Sequence, residues 1–90
     1  MIENKRVLIT GGNRRMGLDV GEMLGKAGAK VGFTYRGDKS RAADALSRLP
    51  ADAVAIPTDL SVADGIEQLV LDTESALGGP IDILINNAAT

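Results

Sequence analysis

A parallel α/β sheet, wound as β-α-β-α-β-α-β, is the fold class this sequence predicts. Two observations predict it. Four short apolar runs rich in β-branched residues recur along the chain, starting 24, 23 and 27 residues apart. The segments between them carry their apolar residues at helical rather than alternating spacing. Strands that alternate with helices must each return to the same edge, which makes the sheet parallel. Right-handed crossovers then restrict the topology, and the expected strand order is 3-2-1-4.

The elements follow in order. The first strand is Val7-Leu8-Ile9. The first helix places Met16, Val20, Met23, Leu24 and Ala27 on one stripe and stops at Gly28. The second strand is Val31-Gly32-Phe33-Thr34-Tyr35, and the second helix carries Ala43, Leu46 and Leu49 and stops at Pro50. The third strand is Val54-Ala55-Ile56. The third helix opens at Ser61 with Asp64 three residues on, close to a capping box. It presents Ile66, Leu69, Val70, Thr73 and Leu77 on one face, and Gly78-Gly79-Pro80 ends it. The fourth strand, Ile81-Asp82-Ile83-Leu84-Ile85, is the most apolar of the four. In a 3-2-1-4 order it is an edge strand, and only Asp82 interrupts it. Sheet edges are normally blunted with charge or covered, so this strand reads as part of a larger sheet or as a site of self-association.

Composition sets the class. Ninety residues make one domain, 1–90, the ceiling. A hydrophobic fraction of 44% with 24% charged residues fits a globular chain rather than a disordered one. A net charge of −2 gives no global attraction to nucleic acid or membrane, and no apolar run is long enough to span a bilayer. The default location is the cytoplasm. Cysteine and histidine are both absent, which removes disulfides, thiolate metal sites and the usual general base at neutral pH. No metal site is expected.

Between the first strand and first helix lies Thr10-Gly11-Gly12-Asn13-Arg14-Arg15-Met16-Gly17. Glycines here let the backbone approach a ligand closely, and the helix that follows offers free N–H groups and a positive dipole end to a pyrophosphate. The spacing is not GxGxxG. It contains Gly12-x-x-x-x-Gly17, but Leu18-Asp19 follow, which rejects a Walker A loop. Gly11 and Gly12 have a plainer reading as a turn into the helix. Their place directly after the first strand of a βαβ unit favours a Rossmann-type dinucleotide site. The end of the second strand carries Arg36 rather than the acid that usually holds a ribose 2′-OH, and Arg14 and Arg15 sit in the loop on the same side. A guanidinium fork matches a 2′-phosphate, so NADP(H) is favoured over NAD(H). Asp38 keeps the NAD(H) reading open, and Arg36 has an alternative as an ordinary solvated loop residue.

These residues resemble the short-chain dehydrogenase/reductase family, from Lys5 to Thr90. Thr10-Gly11-x-x-x-Arg15-Met16-Gly17 is similar to the family's TGxxxGxG cofactor loop, Asp59-Leu60 to its acid–hydrophobe pair, and Asn86-Asn87-Ala88-Ala89 to its NNAG motif. The resemblance implies that Gly11, Gly12, Asn13, Arg14 and Met16 line the pyrophosphate and adenosine ribose, with Arg15 within the loop. It implies that Arg14 and Arg36 hold the 2′-phosphate, and that Asp59 accepts from the adenine amino group beside Leu60. Asn86, Asn87 and Ala88 would lie near the ribose closer to the nicotinamide. Two positions depart from the pattern. Arg15 replaces the middle glycine, similar to the TGxxxRxG loop of pteridine-reductase-like members, which use NADPH. Ala89 replaces the final glycine of NNAG. Asp59 also has a reading as a cap of the third helix alongside Ser61, and Asn86 and Asn87 as bridges between backbone groups at the sheet end.

The family's serine, tyrosine and lysine lie well downstream of NNAG, so no catalytic residue is expected in this chain. Tyr35 and Lys39 have the Tyr-x-x-x-Lys spacing, but Gly37 and a strand end lie between them, which is the wrong context. The expected function is therefore the NADP(H)-binding portion of an oxidoreductase whose full-length parent passes hydride to a carbonyl or imine. That parent is expected to be a homo-oligomer, and the 90-residue chain to be inactive alone. The alternative is a stand-alone, non-catalytic dinucleotide-binding module. A flavodoxin- or receiver-like domain is disfavoured, because the first strand ends in Thr10-Gly11-Gly12 rather than in an acidic cluster.

Overall fold

Side-chain alternation along the strands decides which helix covers which face. The computed structural model describes residues 2–10, 15–35, 39–57 and 65–86. The elements are β1 (Arg6–Thr10), α1 (Arg15–Lys26), β2 (Lys30–Tyr35), α2 (Lys39–Ser47), β3 (Val54–Pro57), α3 (Gly65–Leu77) and β4 (Ile83–Asn86). All pairings are parallel and the order is β3-β2-β1-β4, as the alternation of strands and helices predicts. Val7 and Ile9 of β1 and Val31 and Phe33 of β2 point to one face and pack with Leu18, Ala29, Ala42 and Ala45, so α1 and α2 cover that side. Leu8 and Ile56 point to the other and pack with Leu69 of α3. Helices on both faces make the sheet doubly wound, the Rossmann-type arrangement.

Two helix faces differ from their apolar stripes. In α1 the buried positions are Gly17, Leu18, Gly21 and Gly25, while Met23 is 62% exposed and Ala27 is exposed. Val20 and Leu24 of the expected stripe do pack against the core, so the inward face keeps these two and extends to the glycines in place of Met23 and Ala27. The cause is close packing. A Cβ on Gly25 would come within 2.6 Å of Pro50 Cδ, and one on Gly21 within 3.4 Å of Ile9 Cδ1. The helix lies so near the sheet and the α2–β3 turn that hydrogen atoms fill positions where side chains would otherwise go. In α2, Ala42 and Ala45 are buried and Ala43 is exposed, while Leu46 and Leu49 reach the core as expected. In α3, Leu69, Thr73 and Leu77 face inward as the period predicts, and Val70 lies at the rim. Buried Thr73 satisfies its hydroxyl on the Leu69 carbonyl at 2.7 Å.

Glycine conformations end two helices where the sequence places the stops. Gly28 has φ +97°, with Gly28 N–H on the Gly25 carbonyl and Ala29 N–H on the Leu24 carbonyl, a Schellman motif. Gly78 has φ +85°, and the N–H groups of Gly78 and Gly79 both donate to the Glu74 carbonyl. From that turn the chain enters β4 under firm control. The Arg6 guanidinium donates to the carbonyls of Leu77 and Gly78, each at 3.1 Å. The Arg6 N–H donates to Asp82 Oδ2 at 2.9 Å, Asp82 N–H returns a bond to the Arg6 carbonyl at 2.8 Å, and Ile81 N–H donates to Glu74 Oε2 at 3.0 Å. Arg6 thus satisfies carbonyls that the end of α3 leaves open and complements its dipole. Arg6→Ala is expected to cost about 1–2 kcal/mol, given charged donors at a half-exposed site. A lower urea midpoint at unchanged slope is the expected reading. An unmoved midpoint contradicts the role.

A second charged contact joins α1 to the end of α2. Arg48 binds Glu22 through Nε and Asp19 through Nη2, the latter at 3.4 Å. The hydrogen bond from Arg48 holds the Glu22 carboxyl below its ordinary range, and Glu22 in turn raises Arg48. Both groups are solvated, so the pair contributes little to stability.

Candidate functional site

Parallel strands direct all their carboxyl ends to one edge, and the strand order reverses between β1 and β4. That reversal opens the crevice in which doubly wound sheets bind ligands. Two side chains meet at this point. Thr10 closes β1 and Asn86 closes β4, and the register sets them opposite one another. The Thr10 hydroxyl, with only 6% of the residue exposed, donates to Asn86 Oδ1 at 3.0 Å and lies 3.5 Å from the Ile85 carbonyl. The carboxamide of Asn86 is therefore held by its oxygen. Among the described residues, no buried side-chain nitrogen or oxygen lacks a partner.

Helix α1 begins at Arg15, five residues after Thr10. Its N-terminal end therefore stands at the carboxyl edge of β1, where its dipole and first N–H groups favour an anion. The glycines of α1 let the helix approach the sheet closely and so fix that end beside the crevice. The donor set fits a dinucleotide: amides and a helix end for a pyrophosphate, and a carboxamide one strand away for a ribose.

Of the cofactor-binding candidates from the sequence, Asn86 is the one with a described side chain, and it meets Thr10 at the β1–β4 reversal. Arg15 and Met16 open α1, with side chains outside the described part. Gly11, Gly12, Asn13, Arg14, Arg36, Asp59, Leu60, Asn87 and Ala88 lie outside the described residues, as do Ser61, Asp64 and Asp38. Tyr35 ends β2 and Lys39 opens α2, so the pair is not one turn apart on a helix. Thr10 opens the glycine-loop motif, but nothing in the motif's spacing assigns it a role of its own. Its signal was a hydroxyl closing an otherwise aliphatic strand, a position where a buried polar group needs a partner.

The family model for short chain dehydrogenases matches residues 5–90. The chain belongs to this family. Among curated short-chain dehydrogenases and reductases, it is 37% identical to a glucose and ribitol dehydrogenase homolog of Oryza sativa subsp. japonica, over 98% of this chain and 33% of that protein. It is 41% identical to the rhamnolipids biosynthesis 3-oxoacyl-[acyl-carrier-protein] reductase of Pseudomonas aeruginosa, over 92% of this chain and 32% of that protein. It is 37% identical to the NADPH-dependent aldehyde reductase 1, chloroplastic, of Arabidopsis thaliana, over 98% and 33%. The chain spans about a third of the length of the curated relatives it matches. A solved dehydrogenase/reductase from Sinorhizobium meliloti superposes with a TM-score of 0.88 at 38% identity, covering 97% of this chain and 35% of that one. The short-chain dehydrogenase/reductase of Serratia marcescens superposes at 0.89 with 32% identity, over 99% and 37%. The family is one of oxidoreductases that use nicotinamide dinucleotides. No helix among the described residues is long and apolar enough to cross a membrane.

Proposed function

We propose that residues 1–90 are the NADP(H)-binding half of a short-chain dehydrogenase/reductase domain, with NAD(H) the weaker cofactor, working in the cytoplasm. The observation that carries this reading is the Thr10–Asn86 hydrogen bond across the β1–β4 reversal, immediately ahead of the N-terminal end of α1. When bound, the nicotinamide gives or takes a hydride, and in the full-length parent the other partner is a carbonyl or imine. The residues of this chain bind and orient. Gly11, Gly12 and Asn13 offer backbone donors to the pyrophosphate, with Arg15 and Met16 beside the adenosine. Asp59 and Leu60 take the adenine, and Asn86, Asn87 and Ala88 the ribose next to the nicotinamide. Arg14 and Arg36 bind the 2′-phosphate, and the Arg15 loop variant, similar to that of pteridine-reductase-like members, supports the same preference. A similar protein named as NADPH-dependent is consistent with it. None of the 90 residues is assigned to proton transfer, so the chain binds cofactor without turning over, and homo-oligomer formation belongs to the full-length parent.

The test is a fluorescence titration of the chain with NADPH and NADH. One charge-assisted hydrogen bond to the 2′-phosphate contributes about 1.5–3 kcal/mol, which corresponds to roughly 10–100-fold tighter binding of NADPH. Equal affinity for the two contradicts the assigned role of the arginines.

A further inference from the structure

We propose that Asp82 is a positioning residue for the cofactor edge: from the far end of β4 it fixes the register that sets Asn86 against Thr10. Asn86 belongs to that edge on the reading given above, and the proposal rests on that reading.

Apolarity alone does not choose this register. Isoleucine recurs at every second residue, at Ile81, Ile83 and Ile85. Ile83 and Ile85 pair with Val7 and Ile9 and pack on the cluster these two build. Sliding β4 by two residues toward the carboxyl edge puts Ile81 in the place of Ile83 and Ile83 in the place of Ile85. Each strand side chain keeps its face, so the core pattern is unchanged. Leu84 would then stand opposite Thr10, and Asn86 would lie about 6.6 Å beyond it. The other slides are rejected by the pattern itself. A one-residue slide turns the isoleucines to the opposite face, and a two-residue slide the other way brings Asn87 to the place of Ile85.

The entry to β4 rejects the slide that the isoleucines permit. Arg6 N–H donates to Asp82 Oδ2 at 2.9 Å, and Asp82 N–H donates to the Arg6 carbonyl at 2.8 Å. A carboxylate here serves as the acceptor that a strand carbonyl would be in a continued ladder. In the slid register Pro80 takes the place of Asp82. It has neither an N–H nor a carboxylate, so both backbone groups of Arg6 lose their partners. The turn that would have to follow the slide is itself anchored. The Arg6 guanidinium binds the carbonyls of Leu77 and Gly78 and lies over Gly79, where a Cβ would come within 2.6 Å of Cζ. Ile81 N–H is held by Glu74 Oε2 at 3.0 Å.

Through-space NMR contacts of Thr10 read the register directly, and a titration with NADPH reads its consequence. The parent is expected to show Thr10 against Asn86. In Asp82→Ala, contacts of Thr10 with Leu84 are expected to appear. If a tenth of the molecules keep the competent register, NADPH binding weakens about tenfold. Asp82→Asn keeps an oxygen for the Arg6 N–H and is expected to retain the parent contacts and an affinity within about threefold. Adding Ile81→Ser to Asp82→Ala puts a hydroxyl on the core face of the slid register only, and is expected to restore the Thr10–Asn86 contact and most of the affinity. A residue that merely stabilises the fold behaves otherwise. Its loss lowers the urea midpoint with contacts and affinity unchanged, and Ile81→Ser only adds to the damage; either result overturns the proposal. Should Asp82→Ala fail to fold, Gly79→Ala, which displaces the guanidinium and leaves both strands intact, carries the test: Thr10–Leu84 contacts support the proposal, and parent contacts alone overturn it. A parent chain that binds no NADPH contradicts the cofactor reading, and the Thr10 contacts then decide the register by themselves.

Discussion

Gly25→Leu is expected to remove more than about 3 kcal/mol of stability, whereas Met23→Leu, two residues away on the same helix, changes it by less than about 0.5 kcal/mol. The leucine Cβ alone would stand 2.6 Å and 2.9 Å from two atoms of the Pro50 ring, and its branches extend toward Val31. The helix cannot retreat without opening the contacts that Leu18 makes with the sheet. A better helix propensity offsets only about 1 kcal/mol of that cost. For a chain whose total is on the order of 5–10 kcal/mol, the loss takes a large share of the folded population at ordinary temperature. Met23 projects into solvent, so a longer or branched side chain there meets little. Denaturation by urea, followed by circular dichroism, measures both. Near-equal effects would mean that α1 packs on its apolar stripe rather than on its glycines.

Arg36→Glu is expected to weaken NADPH binding about 100-fold or more and to leave NADH within a few-fold of the parent. The proposed contact is charge-assisted and suited to a forked guanidinium, and the substitution replaces attraction by repulsion of a doubly charged group. NADH carries a hydroxyl at that position, which a carboxylate accepts well. Titrating both cofactors against both chains separates the two effects. A parallel loss for NADPH and NADH would place Arg36 in general support of the fold, and no loss would remove it from the site.

The fold was legible because its signals are long-ranged and redundant. The four β-branched runs and the glycine stops at Gly28 and Gly78 agree with one another and admit one wrapping. The face of α1 was legible at Val20 and Leu24 but not at Met23, because apolarity ranks methionine above glycine. Close packing against the sheet and the α2–β3 turn reverses that ranking at Gly21 and Gly25. Ala43 was misplaced for a related reason, since alanine fits either side of a helix. At the site, Asn86 was legible from its motif at the end of a strand. Its partner Thr10 was not, since a threonine in a strand is ordinary until the register between β1 and β4 is known. Arg6 and Asp82, separated by most of the chain, carry no local sign that they meet.

A dinucleotide is expected to bind at the carboxyl edge where β1 and β4 diverge. Amide chemical shifts of the isotopically labelled chain, followed during addition of NADPH, test it most directly. The largest changes are expected at Thr10, at Arg15 as the first residue of α1, and at Asn86, with Arg6, Gly79 and Asp82 at the opposite edge unmoved. Shifts concentrated at Arg6, Gly79 and Asp82, or saturating NADPH with no shift at Thr10 and Asn86, would contradict the account.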